Sequence, residues 1–263
     1  MKKRIITGLV GGIGFLYLVF LGGVPYSLFI LVLATIGYYE FLKMNHTNFF
    51  SIQGILGLLS VIAIILGLNP IVPFFERLSI LHIFIISLWI FLAFVVFVKN
   101  EITFDQISIL LVGAIYVSFG FGFMLKARLI ENGFALTLFV LITTWASDSG
   151  AYFSGRFFGK NKLWPEISPK KTIEGSIGGI LLAIVAGLLM NQILHFTSIM
   201  TTVVLASILV SIVGQIGDLV ESALKRSKGV KDSGNLLPGH GGVLDRFDSL
   251  IFTFPILFLL FNL

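Results

Sequence analysis

The sequence predicts an all-α, polytopic integral membrane protein of about nine transmembrane helices. Two compositional facts and one pattern carry this. Of 263 residues, 57% are hydrophobic and 12% charged, whereas soluble domains run at about 45–50% apolar. The mean hydropathy is +1.02, and the polar residues are too few to coat a soluble globule. They gather in short blocks between apolar runs of about 17–25 residues, the length a helix needs to cross a bilayer. No charged stretch is long enough for a separate soluble domain, so residues 1–263 read as one membrane domain.

The runs fall at about 5–22, 25–42, 52–69, 79–98, 106–125, 134–154, 174–194, 200–224 and 249–262. The first follows Met1-Lys-Lys-Arg without a clear small-x-small cleavage pattern, and reads as an uncleaved span. Gly22-Gly23-Val24-Pro25 makes a tight turn into the second. The ninth is short, and its helix should begin near Asp245. Basic residues set the orientation. With Lys2-Lys3-Arg4 cytoplasmic, Lys43, Lys99 and the loops at 155–173 and 225–248 share that side, while those at 70–78 and 195–199 face outward. Lys126 and Arg128 fall outside and violate the scheme. The net charge of +5, clustered at span ends, suits this topology better than nucleic-acid binding, so no nucleic-acid partner is expected. Cysteine is absent, which excludes disulfides, a thiolate nucleophile and Cys-ligated zinc.

Residues 1–130 offer little chemistry and read as scaffold and lipid-contacting spans. Glu40, Glu76, Glu101 and Asp105 lie at span ends or in loops and read as solvated charges, and His46, His82 and His195 stand apart from other ligand types. Residues 131–263 differ. Asp148 lies inside the sixth run, where an acid costs about 2.5–3.5 kcal/mol and therefore marks an interior cavity or partner. Thr144, Asp148 and Tyr152 form one stripe at i, i+4, i+8; helix–helix glue explains the neighbouring Ser147, Ser149 and Gly150 equally well, but not the acid. Ser168-Pro169 resembles an N-cap followed by proline at the first helical position, which would set Lys170, Lys171 and Thr172 at an anion-favouring helix start. A plain basic juxtamembrane loop explains them equally well.

The densest ionisable cluster is 215–248, wedged between two apolar runs. Asp218, Glu221, Ser222 and Lys225 share a helical face; a Glu221–Lys225 ion pair on a solvated end would explain two of them but not Asp218. Glycines at 229, 234, 239, 241 and 242 exclude a helix and could let backbone N–H groups approach phosphate. Asp245 and Asp248 then enter the last helix three residues apart. Acceptor-only carboxylates at 218, 245 and 248, without Cys or clustered His, favour a hard cation such as magnesium. Interleaved bases suit phosphates, so the chemistry points to phosphoryl or nucleotidyl transfer at a membrane. An ion-coupled transporter would also bury an acid, but the polar clusters lie toward one face and no internal repeat is visible.

The 27 residues Ser222–Asp248 strongly resemble the signature S-x-x-K-R-x4-K-D-x5-P-x-H-G-G-x-x-D-R-x-D of the phosphatidate cytidylyltransferase (CDP-diacylglycerol synthase) family, at every fixed position. Asp148-Ser-Gly-Ala-Tyr and Ser168-Pro-Lys-Lys-Thr-Ile-Glu-Gly look like the family's upstream blocks; residues 140–262 carry the resemblance, while earlier spans match only in being hydrophobic. It implies that CTP and phosphatidate give CDP-diacylglycerol and pyrophosphate, that magnesium is required (with room for a second cation), and that the enzyme is a multi-pass homodimer of the cell membrane, its site facing the cytoplasm. It implies Asp218 and Asp245 as metal ligands, catalytic together with Lys225 and Arg246. Arg226, Lys231 and His240, with Asp148, Lys171, Glu174, Glu221, Asp232 and Asp248, would bind substrate. The full signature argues against a CTP-using polyprenol or dolichol kinase and against a non-catalytic scaffold.

Overall fold

The structure, a computed structural model, describes residues 2–69, 71–72, 80–98, 102–195, 197–236 and 239–261. Glu76, Lys99, Glu101 and the signature's Pro238 lie outside the described residues. Among the described residues there are nine helices, one for each predicted run: α1 Lys2–Leu21, α2 Gly23–Met44, α3 Ile52–Leu68, α4 Ile80–Phe97, α5 Phe104–Leu129, α6 Gly133–Phe158, α7 Ile173–Leu194, α8 Met200–Ser227 and α9 Leu244–Phe261. Six of them (α2, α4, α5, α6, α7 and α8) are long and apolar enough to cross a membrane; α3 and the apolar part of α1 are shorter. The protein is therefore a multi-pass membrane protein, and length and composition support six of the nine predicted spans. Among the described residues the fold is all-α except for one antiparallel hairpin, β1 Lys162–Trp164 with β2 Ser168–Thr172.

That hairpin corrects one expectation. Ser168-Pro169 does not start a helix; both residues lie in β2, and Lys170 and Lys171 follow in extended backbone. The helix begins at Ile173, and its N-cap is Thr172, whose Oγ1 accepts from Gly175 N at 3.1 Å. A serine before a proline is a local signal, and strand pairing with Lys162 and Trp164 outweighs it. The last helix starts at Leu244, next to the expected Asp245.

The chain divides into two compact units: residues 1–130 with 232–246, and 131–231 with 247–263. In the first unit, α5 packs against α2, α3 and α4. Its start is fixed by a capping box in which Thr103 Oγ1 accepts from Gln106 N and Thr103 N donates to Gln106 Oε1. Its other end explains the charge that violated the orientation scheme. Arg128 donates from Nε to Val19 O at 2.5 Å and from Nη2 to Phe20 O at 3.0 Å, capping the last carbonyls of α1. Gly22 turns the chain there at φ 63°.

In the second unit, α6 packs along α7, and α8 packs on both. A ladder of short polar side chains joins the three. Ser147 and Ser211 hydroxyls meet at 2.7 Å, Gln215 Nε2 donates to Ser211 Oγ at 3.1 Å, and Ser176 Oγ donates to Gln215 Oε1 at 2.5 Å. The glue expected of Ser147 is present, and close approach at Gly150 supplies the rest: a Cβ there would stand 2.7 Å from Gly178 O.

Candidate active site

α8 has 28 residues, about 42 Å at about 1.5 Å per residue, against a hydrocarbon core of about 30 Å. The helix is thus longer than the slab is thick, and Asp218, Glu221, Lys225 and Arg226 lie in its C-terminal third. A cavity of about 340 Å³ opens in the second unit beside Asp218. Its walls bring together Asp148 and Tyr152 of α6, Lys170 and Lys171 of β2, the start of α7, and Gln215 and Asp218 of α8. Arg156, whose Nη1 donates to Tyr152 Oη at 3.1 Å, adds a third cation. The predicted stripe of α6 thus splits along its length: Thr144 is buried, while Asp148 and Tyr152 face the cavity.

Lys171 Nζ lies 2.7 Å from Asp218 Oδ2, and both side chains are partly exposed. Asp218 Oδ1 accepts from Ser222 Oγ at 3.2 Å. Asp148 and Asp248 each lie within Coulombic range of Asp218, and Lys225 within that of Asp248. The Glu221–Lys225 pair exists at 2.7 Å, but not on a solvated end: Glu221 is 0% and Lys225 8% exposed. The face of α8 that buries Gly214 and Gly217 also carries these two residues, one and two turns further on.

Other predicted site residues are placed as follows. Glu174 accepts from Lys160 N, Asn161 N and Asn161 Nδ2, so its carboxylate ties the approach to β1 onto α7. Arg226 donates to Val230 O at 3.2 Å and closes the turn after α8. Lys231, Asp232 and Arg246 are exposed. His240 is half-buried, its ring against Gly8 of α1. The N–H of Gly242 donates to Asp245 Oδ2 at 2.8 Å, and those of Val243 and Leu244 donate to Glu40, so the glycine-rich loop's donors meet the protein's own carboxylates. Asp245 Oδ2 also accepts from Ser233 N at 2.8 Å, and Ser233 Oγ, 2.9 Å from it and 3.0 Å from Glu40 Oε2, has one proton to share between the two carboxylates. Glu40 is not a solvated charge at all; it is 2% exposed.

The profile of the cytidylyltransferase family matches residues 2–263. The chain belongs to this family. It is accordingly a nucleotidyltransferase, and the match reaches the earlier spans that had resembled the family only in hydrophobicity. Among its curated relatives, phosphatidate cytidylyltransferase of Bacillus subtilis (strain 168) is 40% identical over 266 residues, covering 100% of this chain and 98% of that protein. The proteins of the same name from Staphylococcus saprophyticus and Staphylococcus epidermidis are 39% and 40% identical over 257 and 259 residues, each covering 98% of this chain and 97% of the relative.

The residues present fit a hard divalent cation. Their donors are carboxylate oxygens, and Asp218 stands at a cavity wall with lysines opposite. Among the described residues no three acidic or imidazole groups are poised around one point. Magnesium is usually held by one or two carboxylates together with substrate phosphates and keeps several waters. Sequence reasoning missed Gln215, Arg156 and Glu40. Gln215 carried a signal: an amide inside an apolar run, one turn before Asp218.

Proposed function

We propose that this protein transfers the cytidylyl group of CTP to phosphatidate, releasing pyrophosphate and forming CDP-diacylglycerol for phospholipid biosynthesis. The carrying observation is the Lys171–Asp218 pair in a cavity that also presents Lys170, Arg156 and Asp148. Cations there can receive phosphates, and acids can receive a metal. Bacterial relatives named for this reaction support the substrate pair.

The nucleophile is a phosphate oxygen of phosphatidate. Its second pKa of about 6 leaves it ionised at neutral pH, so no protein base is required. The oxygen attacks the α-phosphorus of CTP in line, a new P–O bond forms, and the bond to the β-phosphate breaks. Catalysis is then positioning and charge neutralisation, without a covalent enzyme intermediate. Asp218 and Asp245 are the carboxylates that would hold magnesium, which when bound neutralises charge on the triphosphate and the departing pyrophosphate. Lys171 exchanges its partner from Asp218 to a phosphate as substrate enters. Lys225, Arg226, Lys231, His240 and Arg246 contact phosphates or nucleotide, and Asp148, Glu174, Glu221, Asp232 and Asp248 orient those bases or the substrate. All nine helices span the cell membrane of a homodimer, with the site facing the cytoplasm.

Radiolabelled CTP and phosphatidate in detergent, with and without magnesium, test this reading. Labelled CDP-diacylglycerol should form only with both substrates and magnesium. Label on another lipid acceptor, or trapped on the protein, would overturn it.

A further inference from the structure

We propose that Glu40, near the C-terminal end of the N-terminal unit's second helix, is a positioning residue for the loop that carries the family signature. Its carboxylate is buried, with three polar groups in hydrogen-bond reach and the Asp245 carboxylate within Coulombic range. Oε1 accepts from Val243 N at 2.9 Å, and Oε2 accepts from Leu244 N and from Ser233 Oγ, both at 3.0 Å. Each oxygen accepts one backbone N–H. Val243 and Leu244 lie at the start of α9, where N–H groups have no helical acceptor of their own. Glu40 supplies that acceptor. It does so from a helix about two hundred positions away in sequence.

The second half of the chain of contacts leads to Asp245. Ser233 gives its hydroxyl to Glu40 and also approaches Asp245 Oδ2 through Oγ at 2.9 Å and N at 2.8 Å. Glu40 therefore holds both sides of the loop, Ser233 on the incoming segment and Val243–Leu244 on the outgoing one, and Ser233 in turn binds Asp245 through its N–H. The loop is built around this carboxyl group. A Cβ on Gly242 would run into Glu40 Oε2, and one on Gly234 would stand 2.5 Å from Oε1. Glu40 touches no cavity wall named above, so its effect on turnover passes through the loop.

The chain has no cysteine, so a single introduced cysteine reports local opening cleanly. Val243→Cys places a thiol at a buried side-chain position whose backbone N–H still serves Glu40, and Ser60→Cys places one in the buried face of α3 as a control. Each is combined with Glu40→Gln, and maleimide labelling is followed on the full protein in detergent. Glu40→Gln keeps the shape but sets an NH2 against donors. Labelling at residue 243 should accelerate about tenfold or more, while labelling at residue 60 stays unchanged. In the cysteine-free protein, Glu40→Gln should lower kcat by up to about a hundredfold with little change in KM for either substrate. Acceleration at both cysteines would mean global loosening and would overturn a positioning role. Unchanged labelling at 243, or wild-type kcat, would overturn it too. The turnover arm rests on the proposed cytidylyl transfer; if wild-type protein makes no CDP-diacylglycerol, that reading fails while the labelling arm still decides the role of Glu40.

Discussion

Two groups of carboxylates in this protein live under opposite conditions. In the first unit, Glu40 and Asp245 Oδ2 each take two hydrogen bonds from backbone N–H groups and share the single hydroxyl proton of Ser233. In the second unit, Asp148 and Asp218 stand at the wall of a cavity, and Asp218 is held by a lysine on a partly exposed strand. Backbone donors are fixed in place, so a carboxylate that satisfies them shapes the chain. A lysine is a flexible point charge that can turn to another anion at little cost. The first arrangement sets a loop, and the second is ready to exchange partners with a ligand.

The largest effect should therefore come from the cavity. Asp218→Asn should cut cytidylyl transfer by orders of magnitude while the protein keeps its elution profile and melting temperature in detergent, because the change removes charge at a partly exposed position. Asp245→Asn should also cut turnover by orders of magnitude. Near-normal rates for either purified variant would remove that carboxylate from the proposed metal site. Next comes the buried pair on α8. Glu221→Gln leaves the ammonium of Lys225 without its nearest countercharge in a dry setting, where breaking a pair costs about 3–5 kcal/mol. The expected result is a clear fall in melting temperature. Lys225→Met added to Glu221→Gln should recover much of the stability without recovering turnover. If Glu221→Gln melts normally and only activity falls, the pair belongs with the exchangeable group.

How far the sequence discloses this contrast depends on the distance between partners. The helices are legible because an unbroken apolar run in a bilayer must satisfy its own backbone, and that leaves one conformation. The acids of α8 are legible because charge is rare here and helical spacing puts Asp218, Glu221 and Lys225 on one side. Glu40 is not. Tyr38-Tyr39-Glu40-Phe41-Leu42-Lys43 looks like any span end, and its partners lie 193 to 204 residues away, beyond any local pattern. The start of α7 misleads for a related reason. Ser168-Pro169 has the local form of a cap, but the strand that claims it is three residues long and carries almost no pattern of its own.

Two smaller effects sharpen the comparison within the second unit. Thr172 caps α7 and lines the cavity, so Thr172→Ala should cost about 1 kcal/mol of helix stability and lower affinity for CTP only if the cavity is the nucleotide's site; a stability loss with unchanged KM would place the nucleotide elsewhere. The smallest effect should come from Ser147→Ala, which removes one interhelical hydrogen bond to Ser211, worth about 0.6 kcal/mol on average between membrane helices. Ser211 keeps its second partner, Gln215, which also touches the cavity wall. Gln215→Leu breaks both ends of that contact, because it loses Ser211 and Ser176 together. If the ladder only glues helices, the two variants should differ in melting temperature alone. If it also holds Gln215 against the substrate, Gln215→Leu should raise KM while Ser147→Ala leaves it unchanged.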